Sequence, residues 1–369
     1  MPRGVKAAGR PDYLIIAGLA FLVLFGLVML SSASSYLGKV KFDDSYYYLK
    51  HQLLFGFLIG LIGFVIASRI YYRYYEKIAI FLLLFSILLL VLVFTPLGVS
   101  ASGAERWLNI GPISFQPAEL LKITFVIYLA AWLSNNLRRS KAFWSGFVPF
   151  LIVCGVVSGL LIKQPSTSSV AILMSVALIL YFVSGAKLSH ILSTILVGAM
   201  ILGVIIYITP YRLNRITTFL NPEADLLAGG YQLNQARIAI GSGGLWGVGY
   251  GQSTTKIHYL PEPIGDSIFA VMAEEFGFVG AGVFIGALIF FIVRILLLTK
   301  TVSDMFGKLI LIGFASVLAI QAFVNMAAMT GLIPLTGTPL PFVSYGGTAL
   351  AIFMTMGGIM VNISKYARG

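Results

Sequence analysis

Charge and cysteine are scarce in this sequence. Of 369 residues, 10% are charged and 59% are hydrophobic. A soluble domain carries about 25% charge. So few polar side chains cannot cover a water-facing surface, which excludes a soluble enzyme, and the same composition excludes a disordered chain. The single cysteine, Cys154, cannot close an intrachain disulfide; it lies in an apolar run, where packing is its expected role. The three histidines, His51, His190 and His258, stand far apart with no His-Glu-x-x-His pattern, so no zinc site is expected. Nucleotide motifs are missing too. In Gly241-Ser242-Gly243-Gly244-Leu245-Trp246, a tryptophan stands where the last glycine of a dinucleotide fingerprint belongs, and no Gly-Lys-Ser/Thr follows. The stretch reads as backbone turns, and any group transfer must use a substrate activated elsewhere. Acidic residues number 13 against 25 basic ones, a net charge of +12. In a membrane protein that excess reports orientation before nucleic-acid binding.

What the chain has in abundance is long apolar runs, with a mean hydropathy of +0.95. A bilayer core requires about 20 apolar residues per helix. Ten stretches qualify: 13–31, 51–67, 77–95, 118–134, 143–162, 168–184, 188–208, 277–298, 308–330 and 347–364. They show no period-2 alternation, so helices are expected and not a barrel. The expected fold is therefore an all-α polytopic membrane protein. One domain spans 1–369, with ten transmembrane helices and a large extracytoplasmic loop, 209–266, between helices seven and eight. The first stretch follows Arg3, Lys6 and Arg10 and ends in Ser31-Ser32-Ala33-Ser34, like a signal peptide, but it is long for one, and an uncleaved first span is expected. The Lys/Arg bias assigns both termini to the cytoplasm. The pairs Gly56/Gly60 and Gly282/Gly286 predict close helix packing.

The unusual segments then face outward. Residues 98–116 and 209–266 are too long for simple connectors. The second contains Tyr231, Trp246, Tyr250 and Tyr259, which predicts short interfacial helices and tight turns. Glu119 and Lys122 open the fourth span three residues apart, on one helical face. They read either as a helix-end pair reaching the interface or as a pair lining a polar cavity, because a charge at bilayer depth costs about 2.5–3.5 kcal/mol on insertion scales. Asp266 follows Pro261-Glu262-Pro263-Ile264-Gly265 and starts the eighth helix. It reads as an N-cap, or as a general base or divalent-cation ligand at a cavity mouth. Glu274 and Glu275 are expected to line that cavity. The segment from Gly331 to Gly347 has no charge, three prolines and four glycines. It is either a shaped connector or a rigid loop offering amides and hydroxyls to an anion.

Together these motifs resemble the SEDS family of shape, elongation, division and sporulation proteins. The matching blocks are Gly103-Ala104-Glu105-Arg106-Trp107 with Phe115-Gln116-Pro117-Ala118-Glu119-Leu120-Leu121-Lys122; Gly241-Ser242-Gly243-Gly244 with Leu260-Pro261-Glu262, Asp266 and Glu274-Glu275; and Pro339-Leu340-Pro341-Phe342-Val343-Ser344-Tyr345-Gly346-Gly347. The resemblance implies a peptidoglycan glycosyltransferase of the bacterial cytoplasmic membrane that polymerises lipid II on the outer face. It also implies a class B penicillin-binding protein transpeptidase as partner, alongside other divisome or elongasome membrane proteins. By motif position Asp266 resembles the family's essential aspartate, Glu119 and Lys122 its buried charged pair, and Arg106 and Gln116 belong to the same block. Two departures stand out. Gln164-Pro165-Ser166-Thr167-Ser168-Ser169 replaces a common Gln-Pro-Asp-x-Gly-Thr, and Ile264-Gly265 replaces a polar pair beginning with His. Loop character around Asp44–Gln52 and Tyr259–Pro263 looks closer to the division-type branch.

Joining two lipid-linked sugars requires a base for the acceptor hydroxyl and positive charge for the departing diphosphate. Asp266 is the expected base, with Mg or Mn as a candidate helper. Arg106, Lys122, Arg212, Arg215, Arg237 and Lys256 are candidate anion partners. Glu119, Gln116, Ser344 and Tyr345 complete the expected substrate-binding set. No nucleotide or zinc is expected. A lipid II flippase or other transporter is the alternative, since broken helices and intramembrane charges suit it too. A scaffold that only anchors a transpeptidase is a third reading.

Overall fold

Nine helices among the described residues are long and apolar enough to cross a membrane. They come from a computed structural model that describes residues 9–101, 104–110, 113–136, 139–221 and 229–367. Arg3, Lys6, Gly103 and residues 222–228 of the large loop lie outside the described residues. In chain order the spans are the first, Tyr13–Phe42; second, Tyr47–Arg69; third, Arg73–Leu92; fourth, Pro117–Ser134; fifth, Phe143–Lys163; seventh, Leu188–Ile208; eighth, Ile268–Leu298; ninth, Met305–Thr330; and tenth, Gly347–Tyr366. Thr167–Val183, at 17 residues, is a shorter apolar helix in the sixth position. The helical, polytopic architecture read from the apolar runs therefore holds.

The fourth, ninth and tenth spans form the centre, with most of their residues buried, whereas only His190 and Ile191 are buried on the seventh. Close approach explains part of this packing. A Cβ added at Gly60 would lie 2.7 Å from Met354 Sδ and 3.0 Å from Ala351 Cα, so the second span is pressed against the tenth. Gly282 and Gly286 behave differently: nothing lies within 4 Å of an added Cβ, and the expected packing there is not made inside this chain. The first helix runs eleven residues past its expected end at 31, because Ser32, Ala33 and Ser34 are small residues buried in a helix contact.

Three segments before the fourth span form an antiparallel sheet that hydropathy did not reveal: β1 (Gly98–Ala101), β2 (Ala104–Ile110) and β3 (Ile113–Phe115). Leu108 pairs with Gly98 on one side and Phe115 on the other. The large loop contains short helices at Pro210–Leu220, Gly229–Ser242 and Thr255–His258, as its aromatic content predicts.

The eighth helix is broken at Gly277 (φ 65°, ψ −166°), and the Gly-rich stretch repairs the break. Val248 and Gly249 N–H donate to the carbonyls of Glu274 and Glu275 at 3.0 Å each, while Phe278 and Val279 N–H donate to Gly244 and Leu245 at 2.9 and 3.0 Å. Such breaks are tolerated only where protein or water satisfies the freed groups. The splice demands glycine. A Cβ on Gly277 would lie 2.3 Å from Gly247 N, and one on Gly243 2.0 Å from Ala273 O. The backbone-turn reading of this stretch stands, with a definite purpose.

Candidate active site

The hub of the site is the charge-free segment between the ninth and tenth spans. Without side-chain charge of its own, it offers carbonyls, and cationic, hydroxyl and amide side chains from four other parts of the chain grip them. Arg215 Nη1 donates to Leu335 O at 3.1 Å, and Arg237 Nη2 to Gly331 O at 3.4 Å. Ser168 Oγ donates to Thr336 O at 2.7 Å and Gln321 Nε2 to Pro339 O at 2.9 Å. The segment is bound in turn to the residues just before Asp266. Ser344 Oγ donates to Gly265 O at 2.6 Å and accepts from Leu340 N at 2.8 Å, and Tyr345 N donates to Ile264 O at 2.8 Å. Ser344 and the Tyr345 backbone thus hold the Asp266 loop, and the Tyr345 hydroxyl meets His51 Nδ1 at 2.9 Å.

Asp266 is half-buried at the start of the eighth helix. It does not cap that helix: Ser267 is the N-cap residue, with no side-chain cap bond. Gln232 Nε2 donates to its Oδ1 at 3.3 Å and to Ser267 Oγ at 3.0 Å. Gly337 opens onto a space bordered by both Asp266 and Arg215; an added Cβ there would be 3.9 Å from Asp266 Oδ2 and from Arg215 Nη2. Burial, reinforced by the neighbouring Glu262 charge, pushes the Asp266 carboxyl up to about 6, with Gln232 and Arg215 pulling the other way.

Arg215 also lies over the Tyr211 ring at 4.7 Å and donates to its hydroxyl. Arg106 approaches from β2, its Nε donating to Gln164 O at 2.9 Å and Nη2 to Pro165 O at 2.5 Å. Burial lowers its pKa, and the like charge of Arg215 adds to that. Arg212 spans Ile162 O, Thr167 Oγ1 and Thr209 Oγ1 at 3.0, 3.0 and 3.1 Å. Arg106 and Arg212 therefore clasp the same 162–167 run, the one that carries Ser166 and Thr167. All the carboxylate pairs found among the described residues involve other cations. Among the described residues these three guanidiniums have neutral oxygens as hydrogen-bond partners.

Two expected anion partners sit elsewhere. Lys122 is buried on the fourth span, its ammonium donating to Glu119 Oε1 at 2.6 Å and Gln321 Oε1 at 2.8 Å, with the Phe353 ring centroid 5.5 Å away. Of the two readings of this pair, snorkelling to the interface is the one the burial disfavours, since both residues are at most 3% exposed. Lys256 is sealed against Glu275 Oε1 at 2.5 Å, Ser32 Oγ at 2.8 Å and Gly251 O at 3.1 Å, so its three protons are spent inside the fold. Glu274 and Glu275 do not line a wet cavity. Glu275 is that ion-pair partner, and Glu274 is buried, accepting from Ser253 Oγ at 2.5 Å and Thr254 N at 3.1 Å. Gln116 precedes the fourth span, and its backbone N–H donates to Thr348 Oγ1 at 3.4 Å. Among the described residues no three His, Cys, Asp or Glu side chains converge on a metal position. Asp266 faces an amide donor and a guanidinium, with the Glu262 charge nearby, so a cation there would meet one or two carboxylates and not a full set of protein ligands.

The family model described as "Cell cycle protein", covering FtsW, RodA and SpoVE, matches residues 12–369. The chain belongs to the SEDS family. A probable peptidoglycan glycosyltransferase FtsW of Geobacter sp. (strain M18) is 37% identical over 359 residues, covering 97% of this chain and 98% of that protein. Stage V sporulation protein E of Bacillus subtilis (strain 168) is 36% identical over 364 residues, with 97% and 98% covered. A chain from a solved peptidoglycan synthase complex, described as coordinating polymerization and crosslinking, superposes with a TM-score of 0.81 at 26% identity, covering 97% of this chain and 98% of that one. As a SEDS protein the chain is a multi-pass membrane peptidoglycan glycosyltransferase.

Sequence reasoning missed Gln232, Gln321 and Asn325. A faint signal existed: Gln321 and Asn325 are polar residues four apart in an apolar helix, which places them on one face.

Proposed function

We propose that this peptidoglycan glycosyltransferase polymerises lipid II on the outer face of the bacterial cytoplasmic membrane, with Asp266 as general base and Arg215 and Arg106 as the partners of the departing diphosphate. The observation that carries the reading is the space at Gly337, bordered by a carboxylate and a guanidinium from opposite ends of the 209–266 segment. Asp266 takes the proton of the acceptor sugar's 4-hydroxyl as that oxygen attacks the donor's anomeric carbon. The bond to the diphosphate breaks on the opposite face, so the configuration inverts from α to β. The leaving group takes the bonding pair as negative charge, which the guanidinium N–H groups meet with charge-assisted bonds. Arg212 supports Arg106 by holding the shared 162–167 run, and Arg237 holds the hub segment at Gly331. The buried Glu119–Lys122 pair acts through Gln321 on Pro339, shaping the hub from behind. A divalent cation such as Mg or Mn, if bound, would be held by Asp266 and would supply further positive charge for the diphosphate, in keeping with magnesium's habit of binding one or two carboxylates plus phosphate.

A class B penicillin-binding protein, the transpeptidase that crosslinks new strands, fits as membrane partner. The synthase complex whose chain superposes on this one supports that association. Relatives named FtsW and a sporulation protein support the division-type branch. The Lys/Arg bias between the two sides supports cytoplasmic termini. The test is polymerisation of purified lipid II by the wild-type protein and by Asp266→Asn, with glycan strands resolved on gels. Loss of polymer in a folded variant that still binds lipid II supports the assignment; undiminished polymer overturns it.

A further inference from the structure

We infer that Asn325 is a positioning residue for glycosyl transfer, fixing the backbone of Asp266 to the hub segment through one buried amide. This rests on Asp266 as the base. Asn325 lies on the ninth span at 1% exposure. Its Nδ2 donates to Asp266 O at 2.8 Å and to Thr338 O at 2.7 Å. These are the two N–H groups of a single planar amide, so the Asp266 and Thr338 carbonyls are held at a fixed separation. Thr338 adjoins Gly337, the residue whose missing side chain leaves the space between Asp266 and Arg215. Both walls of that space are therefore referenced to the same atom. Arg215 is in turn fixed to Leu335 O, two residues before Gly337.

Why an amide stands there follows from what it could be replaced by. Leucine has the same outline but no donor, and would leave two carbonyls unsatisfied. Serine retains one donor and can bond one carbonyl at a time. Asn325 Oδ1 has no hydrogen-bond partner among the described residues. The amide is thus held among the described residues by its two donors alone. One turn earlier Gln321 makes the parallel link, accepting from Lys122 Nζ and donating to Pro339 O. The ninth span thereby aligns the charged pair, the hub and the aspartate along one face. Asn325 reaches no reacting atom; it acts through Asp266.

The test is steady-state polymerisation of lipid II by Asn325→Leu and Asn325→Ser, in complex with the transpeptidase partner, with Asp266→Asn in parallel and melting temperatures recorded for each. Displacing a catalytic group by about 1 Å costs on the order of 10²-fold. Asn325→Leu is expected to lose about that factor in kcat, while KM for lipid II stays within about threefold because the diphosphate partners are untouched. Asn325→Ser is expected to recover part of the loss. If the leucine variant does not fold, the serine variant decides: intermediate kcat at unchanged KM supports the inference. Wild-type kcat in either folded variant, or a loss expressed in KM, overturns it. If Asp266→Asn also polymerises normally, the base assignment fails and the positioning role falls with it; Asp266→Asn inactive beside a fully active Asn325→Leu defeats the inference alone.

Discussion

A carboxylate that takes a proton from a sugar hydroxyl works best with its pKa near the working pH. Asp266 approaches that condition because burial and Glu262 raise its carboxyl to about 6. The direction has consequences of a fixed sign. The base form exists above that value and is lost as pH falls through it, so kcat is expected to decline on the acid side with a midpoint near 6. An acid limb near the ordinary carboxylate value of about 4 would contradict the burial argument. The same shift favours the protonated carboxyl in the fold, so this residue's contribution to stability is present at low pH and fades as pH rises through about 6. Lys256 and Glu275 form a sealed pair away from these groups, and breaking such a pair costs about 3–5 kcal/mol. Lys256→Met should lower the melting temperature sharply, and adding Glu275→Gln should restore much of it. Isolated charges such as Asp266, Glu119 and Lys122 were legible in an apolar sequence because nothing else competes for attention there. The neutral amides Gln232, Gln321 and Asn325 were not, since a hydrogen bond's partner is set by the fold. Lys256 was misread for the same reason: its sign is written in the sequence, but its partner, nineteen residues on, is not.

At the scale of elements, the break at Gly277 separates a short first half of the eighth helix, which starts beside Asp266, from a longer apolar half. Gly277 adopts a left-handed φ and meets Gly247 N, whereas Gly282 lies in open space on the same helix. Gly277→Ala is therefore expected to destabilise the protein strongly, and Gly282→Ala to be neutral or slightly stabilising, since alanine is the better helix former by about 1 kcal/mol. Thermal melts in detergent compare them directly; equal effects would refute the splice. Helices were readable because the bilayer requires long apolar runs. The 98–115 sheet was not, because its strands are short and its pairing is between segments. The Gly-rich stretch could be read as turns, but not as the repair of a helix break some thirty residues further along the chain, because those bonds involve only backbone atoms.

At the scale of the whole molecule, a transporter reading has to face two differently built ends. At the end away from Asp266, Arg294 pairs with Asp12 at 2.5 Å, and Asn362 bonds Tyr72 N and Ser68 O at 2.9 Å each. Lys365 also donates to Ser68 O, at 2.8 Å. With Asp12 N–H donating to Ser364 Oγ at 2.9 Å, these bonds tie the first, second, third, eighth and tenth spans together. At the other end, Arg215, Arg237, Ser168, Gln321 and Asn325 all bond carbonyls of the hub. Reconstituted protein is accordingly expected to leave labelled lipid II in its original leaflet. The most direct measurement of the central claim is gel analysis of glycan strands made from lipid II by proteoliposomes holding wild-type protein or Asp266→Asn, with the transpeptidase partner present. The account predicts strands from the wild type and none from the variant at equal lipid II binding; strands of equal yield from both would contradict it.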